Sequence, residues 1–112
     1  MVERRTPIPR GEVWLASLDP TLGSEIRKTR PSLVISPSDI NAFLRTVTVA
    51  PLTSGSHPAP FRIPVRFEDK DGLILLDQMR TLDRQRLVRR LGAVEDTTLR
   101  LTLARLREFF AG

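Results

Sequence analysis

The stretch FRIPVRFEDKDGLILLDQM, residues 61–79, carries a clear β-hairpin pattern. Its first seven residues alternate between apolar side chains and Arg or Pro, as a strand with one buried face does. The charged segment EDKDG predicts a hairpin turn, and GLILLDQM predicts a buried partner strand. Pro64 has no N–H to give to a β-ladder, so the first strand is expected at a sheet edge or beside a bulge.

Four more strands are predicted outside this hairpin. They are EVWLASL at 12–18, PSLVIS at 31–36, TVTVAPL at 46–52 and LVRRLGAV at 87–94. Residues 38–43 are expected to form a short helical turn. The twelve residues from Asp19 to Arg30 are expected to form a loop, and their length is typical of a functional or disordered segment.

A C-terminal amphipathic helix is predicted from apolar residues that recur at helical spacing. These are Leu99, Leu103, Leu106 and Phe110. Asp96 or Thr97 is expected to cap its first turn. Short strands followed by one such helix predict a mainly β fold, a small barrel-like domain with the helix packed against it. We expect one domain over residues 11–112, preceded by a flexible arm at 1–10.

The charge balance indicates the class of partner. The net charge is +5, and sixteen of the 18 basic residues are arginine. Because the guanidinium fork suits phosphate, nucleic acid or an acidic protein segment is the natural partner, although genome composition would also favour arginine. There is no cysteine, and no apolar run is long enough to span a membrane, so we expect a cytoplasmic protein without thiolate metal sites.

Three polar residues stand at predicted strand ends. Each has a simple structural interpretation: Arg30 is held extended by the proline after it, Thr53 bonds its own turn, and Asp77 ends a strand or pairs with Arg80. In a small barrel, however, these strand ends can meet at one rim. There they would offer a cation, a hydroxyl and, together with Glu25, two carboxylates. The lone His57 is expected to be an exposed loop residue.

Three segments carry a resemblance to a known family. RGEVWLASLDPTLGSEIRKTRPSLVIS, VAPLTSG and GLILLDQMRTLD resemble, in this order, the corresponding blocks of the MazF/PemK toxins. The resemblance implies an SH3-like small β-barrel with a C-terminal α-helix, of the CcdB/Kid/MazF type. It also implies a homodimer that cuts single-stranded RNA without a metal or other cofactor, and a cognate acidic, MazE-like antitoxin.

The resemblance also assigns roles to residues. Arg30 and Thr53 match the catalytic arginine and threonine, Glu25 matches a candidate general base, and Asp77 and Ser54 are secondary active-site candidates. Arg27, Lys28 and Arg80 are expected to contact RNA.

The chemistry fits these residue types. Metal-independent cleavage needs a base for the 2′-hydroxyl, charge stabilisation at phosphorus and an acid for the 5′-oxygen, and it leaves a 2′,3′-cyclic phosphate. A fixed guanidinium can stabilise the phosphoryl charge.

Two departures from the family pattern limit what the resemblance predicts. Ile26, Arg27 and Lys28 stand where many relatives have glutamine and glycine, and Leu75 stands where some have arginine. The base preference is therefore not transferable. Two other functions stay open: a CcdB-like inhibitor of DNA gyrase on the same fold, and a basic RNA-binding module without activity.

Overall fold

A computed structural model describes residues 6–18, 29–55 and 57–112 of the chain. Within these residues the fold consists of seven strands and two α-helices. The strands are β1 (Glu12–Ser17), β2 (Thr29–Val34), β3 (Thr46–Thr53), β4 (Arg62–Phe67), β5 (Lys70–Leu75), β6 (Arg80–Asp83) and β7 (Leu87–Ala93). The helices are α1 (Ser38–Asn41) and α2 (Asp96–Phe110).

The strands form one curled antiparallel sheet in the order β4-β5-β3-β2-β1-β7, and β6 pairs with β3. Two register shifts interrupt the β1–β7 ladder. Such irregularities bend a strand and increase its twist, which helps the sheet to curl around its own core. The hairpin of β4 and β5 forms one end of the sheet, so Pro64 lies on an edge strand as predicted.

Two apolar clusters form the core because the alternating strand residues point inward. The larger cluster includes Val13, Leu33, Ile63 and Ile74, and Leu106 of α2 packs against it. Thr102 is buried in the same helix, where its hydroxyl donates to the carbonyl of Thr98 at 2.8 Å. The second cluster is made by Ile8, Ala16, Leu18, Val34, Val47, Val49 and Leu82. The predicted mainly β fold with a packed C-terminal helix is confirmed.

The second strand of the hairpin is shorter than predicted. It ends at Leu75, and residues Leu76–Gln78 form a 3-10 turn instead of continuing the strand. The N–H of Leu76 donates to the carbonyl of Phe61 at 3.2 Å, which turns the chain back toward the start of β4. After this turn the chain forms β6, a strand that the sequence pattern did not reveal.

The boundaries of β1 and β2 also differ from the prediction. Strand β1 ends at Ser17, and β2 begins at Thr29, so Arg30 lies inside a strand and not in a loop. Residues 19–28 lie outside the described part of the chain.

The start of α2 corrects the predicted cap. Glu95 occupies the N-cap position without a side-chain hydrogen bond, and Asp96 is already helical. The Asp96 carboxylate pairs instead with Arg100 one turn later at 2.8 Å. At the other end of the helix, Phe110 is 69% exposed, so it does not share the buried face predicted for it.

The described part of the N-terminal segment packs against the sheet. Ile8 is buried, and the backbone N–H of Arg10 donates to the hydroxyl of Ser38 at 2.8 Å. The side chain of Arg10 donates to the carbonyl of Ile35 at 2.9 Å. Packed structure therefore begins before Gly11, inside the segment that was expected to be a flexible arm. No α-helix in the described residues has the length and apolar character needed to cross a membrane.

Candidate active site

The strand register brings Arg30 and Thr53 to the same level of the sheet. Strands β2 and β3 pair with Ser32 opposite Pro51. Continuing this antiparallel register by two residues sets Arg30 opposite Thr53, where β2 begins and β3 ends. Residues two positions apart on a strand point to the same face, so both side chains leave the sheet on the side of Ser32 and Pro51.

A surface groove of about 350 Å³ opens at these two strand ends. One wall is built from Arg30 and Pro31 of β2, from Leu52 and Thr53 at the end of β3, and from Ser54 directly after that strand. The volume lies at the lower end of the range of small-ligand pockets, about 300–1,000 Å³. The structure therefore joins two of the three predicted strand-end residues, Arg30 and Thr53, in one groove, and Ser54 lies beside them, whereas Asp77 is not part of the lining.

The polar side chains of this wall are suited to donate hydrogen bonds. The Thr53 hydroxyl oxygen accepts from the N–H of Gly55 at 3.3 Å, the local turn contact expected from the sequence. That bond uses an oxygen lone pair, so the hydroxyl hydrogen can be given to a ligand. The guanidinium of Arg30 is exposed and makes no ion pair with another described residue. Ser54 is exposed beside them.

The opposite wall is the tip of the β4–β5 hairpin. Glu68, Lys70 and Asp71 line the groove there, together with the apolar side chains of Val65 and Phe67. Sequence reasoning predicted the hairpin but did not assign these residues to the site. The available signal was the charge of EDKDG, which has more ionisable residues than a two-residue turn requires.

Gly72 brings the hairpin close to the end of β3. A Cβ atom at this position would lie 2.8 Å from the carbonyl oxygen of Thr53. Real Cβ atoms do not come so near a backbone oxygen, so only glycine allows β5 to run at this distance. The missing side chain thus fixes the separation between the hairpin and Thr53.

Asp77 lies outside the groove lining and has a different partner from the one expected. Its carboxylate receives two hydrogen bonds from Arg62, at 2.9 and 3.2 Å, and not from Arg80. Arg62 also donates to the carbonyl of His57 at 3.1 Å. The hydrogen bond to Asp77, more than its charge, raises the pKa of the Arg62 guanidinium, and burial opposes this increase. Asp77 therefore ties the 3-10 turn to the first residue of β4.

The other predicted site residues lie apart from the groove or outside the described residues. Glu25, Arg27 and Lys28 belong to the undescribed segment 19–28. Arg80 donates to the carbonyl of Leu18 at 3.5 Å and does not line the groove. His57 is exposed, as expected for a loop residue. No group of three or more His, Asp or Glu side chains in residues 6–18, 29–55 and 57–112 is arranged to hold a metal ion.

Comparisons with known proteins find a matching family model, named relatives and solved structures of the same fold. Residues 9–110 match the family model described as PemK-like, MazF-like toxin of type II toxin-antitoxin system. The chain is 38% identical over 112 residues to a protein of Escherichia coli named Endoribonuclease PemK. This alignment covers 95% of the present chain and 84% of the relative.

Two solved structures from Deinococcus radiodurans have the same fold. The crystal structure of MazF superposes with a TM-score of 0.80 and 26% identity, over 92% of this chain and 96% of that one. A crystal structure of MazE-MazF superposes with a TM-score of 0.69 and 26% identity, over 92% and 95% of the two chains.

Proposed function

Because this chain belongs to the PemK-like and MazF-like family of type II toxins, we propose that it is an endoribonuclease that cleaves single-stranded RNA. Cleavage would proceed without a metal ion, by attack of a 2′-hydroxyl on the adjacent phosphorus. The products would be a 2′,3′-cyclic phosphate and a 5′-hydroxyl. We place this activity in the cytoplasm, where cutting messenger RNA would stop translation and growth.

The observation that carries this proposal is the shared groove of Arg30 and Thr53. A pentacoordinate phosphorus holds more charge on its oxygens than the ground state does, so hydrogen-bond donors fixed beside it stabilise the transition state. Arg30 supplies two charge-assisted donors, and Thr53 supplies a third. Ser54 is a further donor at the same wall.

The proton transfers are assigned by chemistry and by the family resemblance. A guanidinium carries five N–H donors and no acceptor group, which makes Arg30 a poor base. Glu25 is the proposed general base for the 2′-hydroxyl, and Arg27 and Lys28 are proposed to contact phosphates. Arg80 and Asp77, which lie outside the groove lining, would act on RNA beyond the scissile phosphate or through the positions of their neighbours.

The test compares Arg30→Ala with Arg107→Ala, which removes an exposed arginine of α2 far along the chain from the groove. Purified proteins are incubated with single-stranded RNA in EDTA, and the fragment ends are analysed. Loss of a transition-state donor typically costs about 100- to 1,000-fold in rate. We expect this loss for Arg30→Ala alone, with unchanged melting temperatures and cyclic phosphate ends in the wild type.

Three results would overturn the proposal. Normal turnover by Arg30→Ala would remove Arg30 from the reaction. Intact RNA together with inhibited DNA gyrase would favour the CcdB-like alternative, and salt-sensitive RNA binding without cleavage would favour a simple binding module.

The proposed partners follow from the family and from charge. Type II toxins are paired with an antitoxin, and an acidic segment would complement the Arg30 and Lys70 side of the groove. We propose that such a MazE-like segment competes with RNA and that the toxin is a homodimer. Light scattering measures the oligomeric state, and inhibition of cleavage by the antitoxin encoded beside the toxin tests the competition.

A further inference from the structure

The turn of the β4–β5 hairpin holds a glutamate in an unfavourable backbone conformation. Phe67 pairs with Lys70, so Glu68 and Asp69 are the two central residues of the turn. Both have positive φ angles, 50° and 62°. Two-residue turns of this kind favour Asn-Gly or Asp-Gly, and Asp tolerates the left-handed region better than Glu does. Hairpin stability alone does not account for a glutamate at the first position.

Glu68 is also placed where a carboxylate would ordinarily be unfavourable. It lines the groove together with Arg30 and Thr53, which are proposed to hold a phosphate. A carboxylate facing an RNA backbone meets like charge, and this lowers affinity unless the group contacts another part of the ligand. The edge of a nucleobase offers the missing partner, since amino groups on it donate hydrogen bonds to carboxylates.

The other carboxylate of this wall, that of Asp71, already has a hydrogen-bond partner within the protein. Asp71 accepts a hydrogen bond from Arg66 at 3.0 Å, and both side chains are mostly exposed. Glu68 makes no ion pair or side-chain hydrogen bond with the rest of the described chain. Its two oxygens therefore remain available to a ligand in the groove.

We infer that Glu68 is a specificity-determining residue that accepts hydrogen bonds from the amino group of a nucleobase next to the cleaved phosphate. This inference rests on the proposed endoribonuclease activity. Adenine, cytosine and guanine carry such amino groups and uracil does not, so the protein selects against uracil at one position beside the cut. Lys70, two residues further on, contacts phosphate and carries no sequence information.

The experiment compares Glu68→Gln with Asp69→Asn. Glutamine keeps the size of the side chain but adds an amide donor, which can pair with the carbonyl groups of uracil. Asp69→Asn makes the same charge change in the same turn, at a residue that does not line the groove. A randomised single-stranded RNA library identifies the bases that flank the cut. Matched oligonucleotides with each base at these positions then give kcat/KM.

The wild type and Asp69→Asn should discriminate against uracil by about 5- to 150-fold at one flanking position. Glu68→Gln should reduce this ratio to less than about 3-fold while still cutting its best substrate. Glu68→Asn should hold or raise the melting temperature and also lose the preference.

The possible failures are distinguishable. Cleavage with an unchanged base preference in Glu68→Gln overturns the role of Glu68 and leaves the nuclease assignment intact. A preference that relaxes equally in Asp69→Asn would show that only the charge of the turn matters, and it would also overturn the inference. Absence of cleavage by the wild type on every RNA in the library would refute the proposed function itself.

Discussion

Replacing Gly72 with alanine should distort the groove without removing any group proposed to contact RNA. The added Cβ would lie 2.8 Å from the Thr53 carbonyl oxygen, whereas ordinary contact begins at 3.4 Å. The two strands must therefore separate by about 0.6 Å, and neither atom belongs to a flexible side chain. Because Thr53 pairs with Leu73 in the adjacent ladder position, the displacement acts directly on the end of β3.

The expected magnitude has two parts. Overpacking of this kind costs about 1–3 kcal/mol of stability. A misplacement of about 1 Å in a catalytic group costs roughly 100-fold in rate, so a shift of this smaller size should lower kcat by roughly 10-fold. KM should change less, because Arg30 and Lys70 keep their charges and their places along the groove.

The matched control is Gly55→Ala. No atom lies within 4 Å of a Cβ built on Gly55, and the change keeps the N–H that donates to Thr53. Urea unfolding gives the stability of each variant, and steady-state cleavage of one RNA oligonucleotide gives kcat and KM at a temperature where both are folded. If Gly72→Ala cleaved as fast as Gly55→Ala and the wild type, the close approach would have no part in positioning Thr53.

Three further predictions concern a buried amide, a glycine with a positive φ angle and the charge of the groove. Asn41→Ala should lower the free energy of unfolding in urea by about 1–3 kcal/mol, because the buried side chain donates to the carbonyl of Ile8 at 2.8 Å. A decrease below about 0.5 kcal/mol would contradict this. Gly11→Ala should destabilise the folded protein by about 1–3 kcal/mol, since Gly11 has a φ of 97° and an added Cβ would lie 3.0 Å from the side chain of Leu99. An unchanged melting temperature would show that alanine is accommodated there without strain. Lys70→Gln should weaken RNA binding equally for all sequences. It should also reduce the slope of log affinity against log salt concentration by about 0.7. A changed base preference would show instead that Lys70 contacts a base.

The sequence predicted the fold where local pattern and tertiary structure agree. The alternation in FRIPVRF placed β4 correctly, and Pro64 placed it at an edge. Local pattern failed at Leu76–Gln78, where the apolar run continues but the backbone turns. The bonds that stabilise this turn run to Phe61 and Arg62, at least fifteen residues away, so no local pattern could reveal them.

The site was predicted in part for a similar reason. Arg30 and Thr53 stand at strand ends, and strand ends can be recognised from sequence. The wall formed by the hairpin depends on β5 pairing with β3, which sets Leu73 beside Thr53. Strand order follows from how the whole sheet curls, so composition alone could indicate the unusual charge of the turn but not the residues that it faces.

The two walls of the groove differ in how firmly the sheet holds them, and this difference suits two tasks. Arg30 and Thr53 lie on strands flanked by neighbours in the sheet, β2 between β3 and β1, and β3 between β5 and β2. A transition state requires donors held within fractions of an ångström, and residues on strands inside the sheet have this rigidity: Arg30 pairs with Ala16 of β1, and Thr53 pairs with Leu73 of β5.

The opposite wall is the tip of an edge hairpin, with β5 its sole ladder connection to β3 among the described strands. Substitutions in such a turn leave the core unchanged, so the residues that meet bases can vary without disturbing Arg30 or Thr53. Exchanging residues 68 and 69 for the central residues of other two-residue hairpin turns should therefore change which RNA sequences are cut, while kcat on the best substrate stays within about 10-fold. A set of such variants that all lost activity would show that the hairpin also positions the reacting groups.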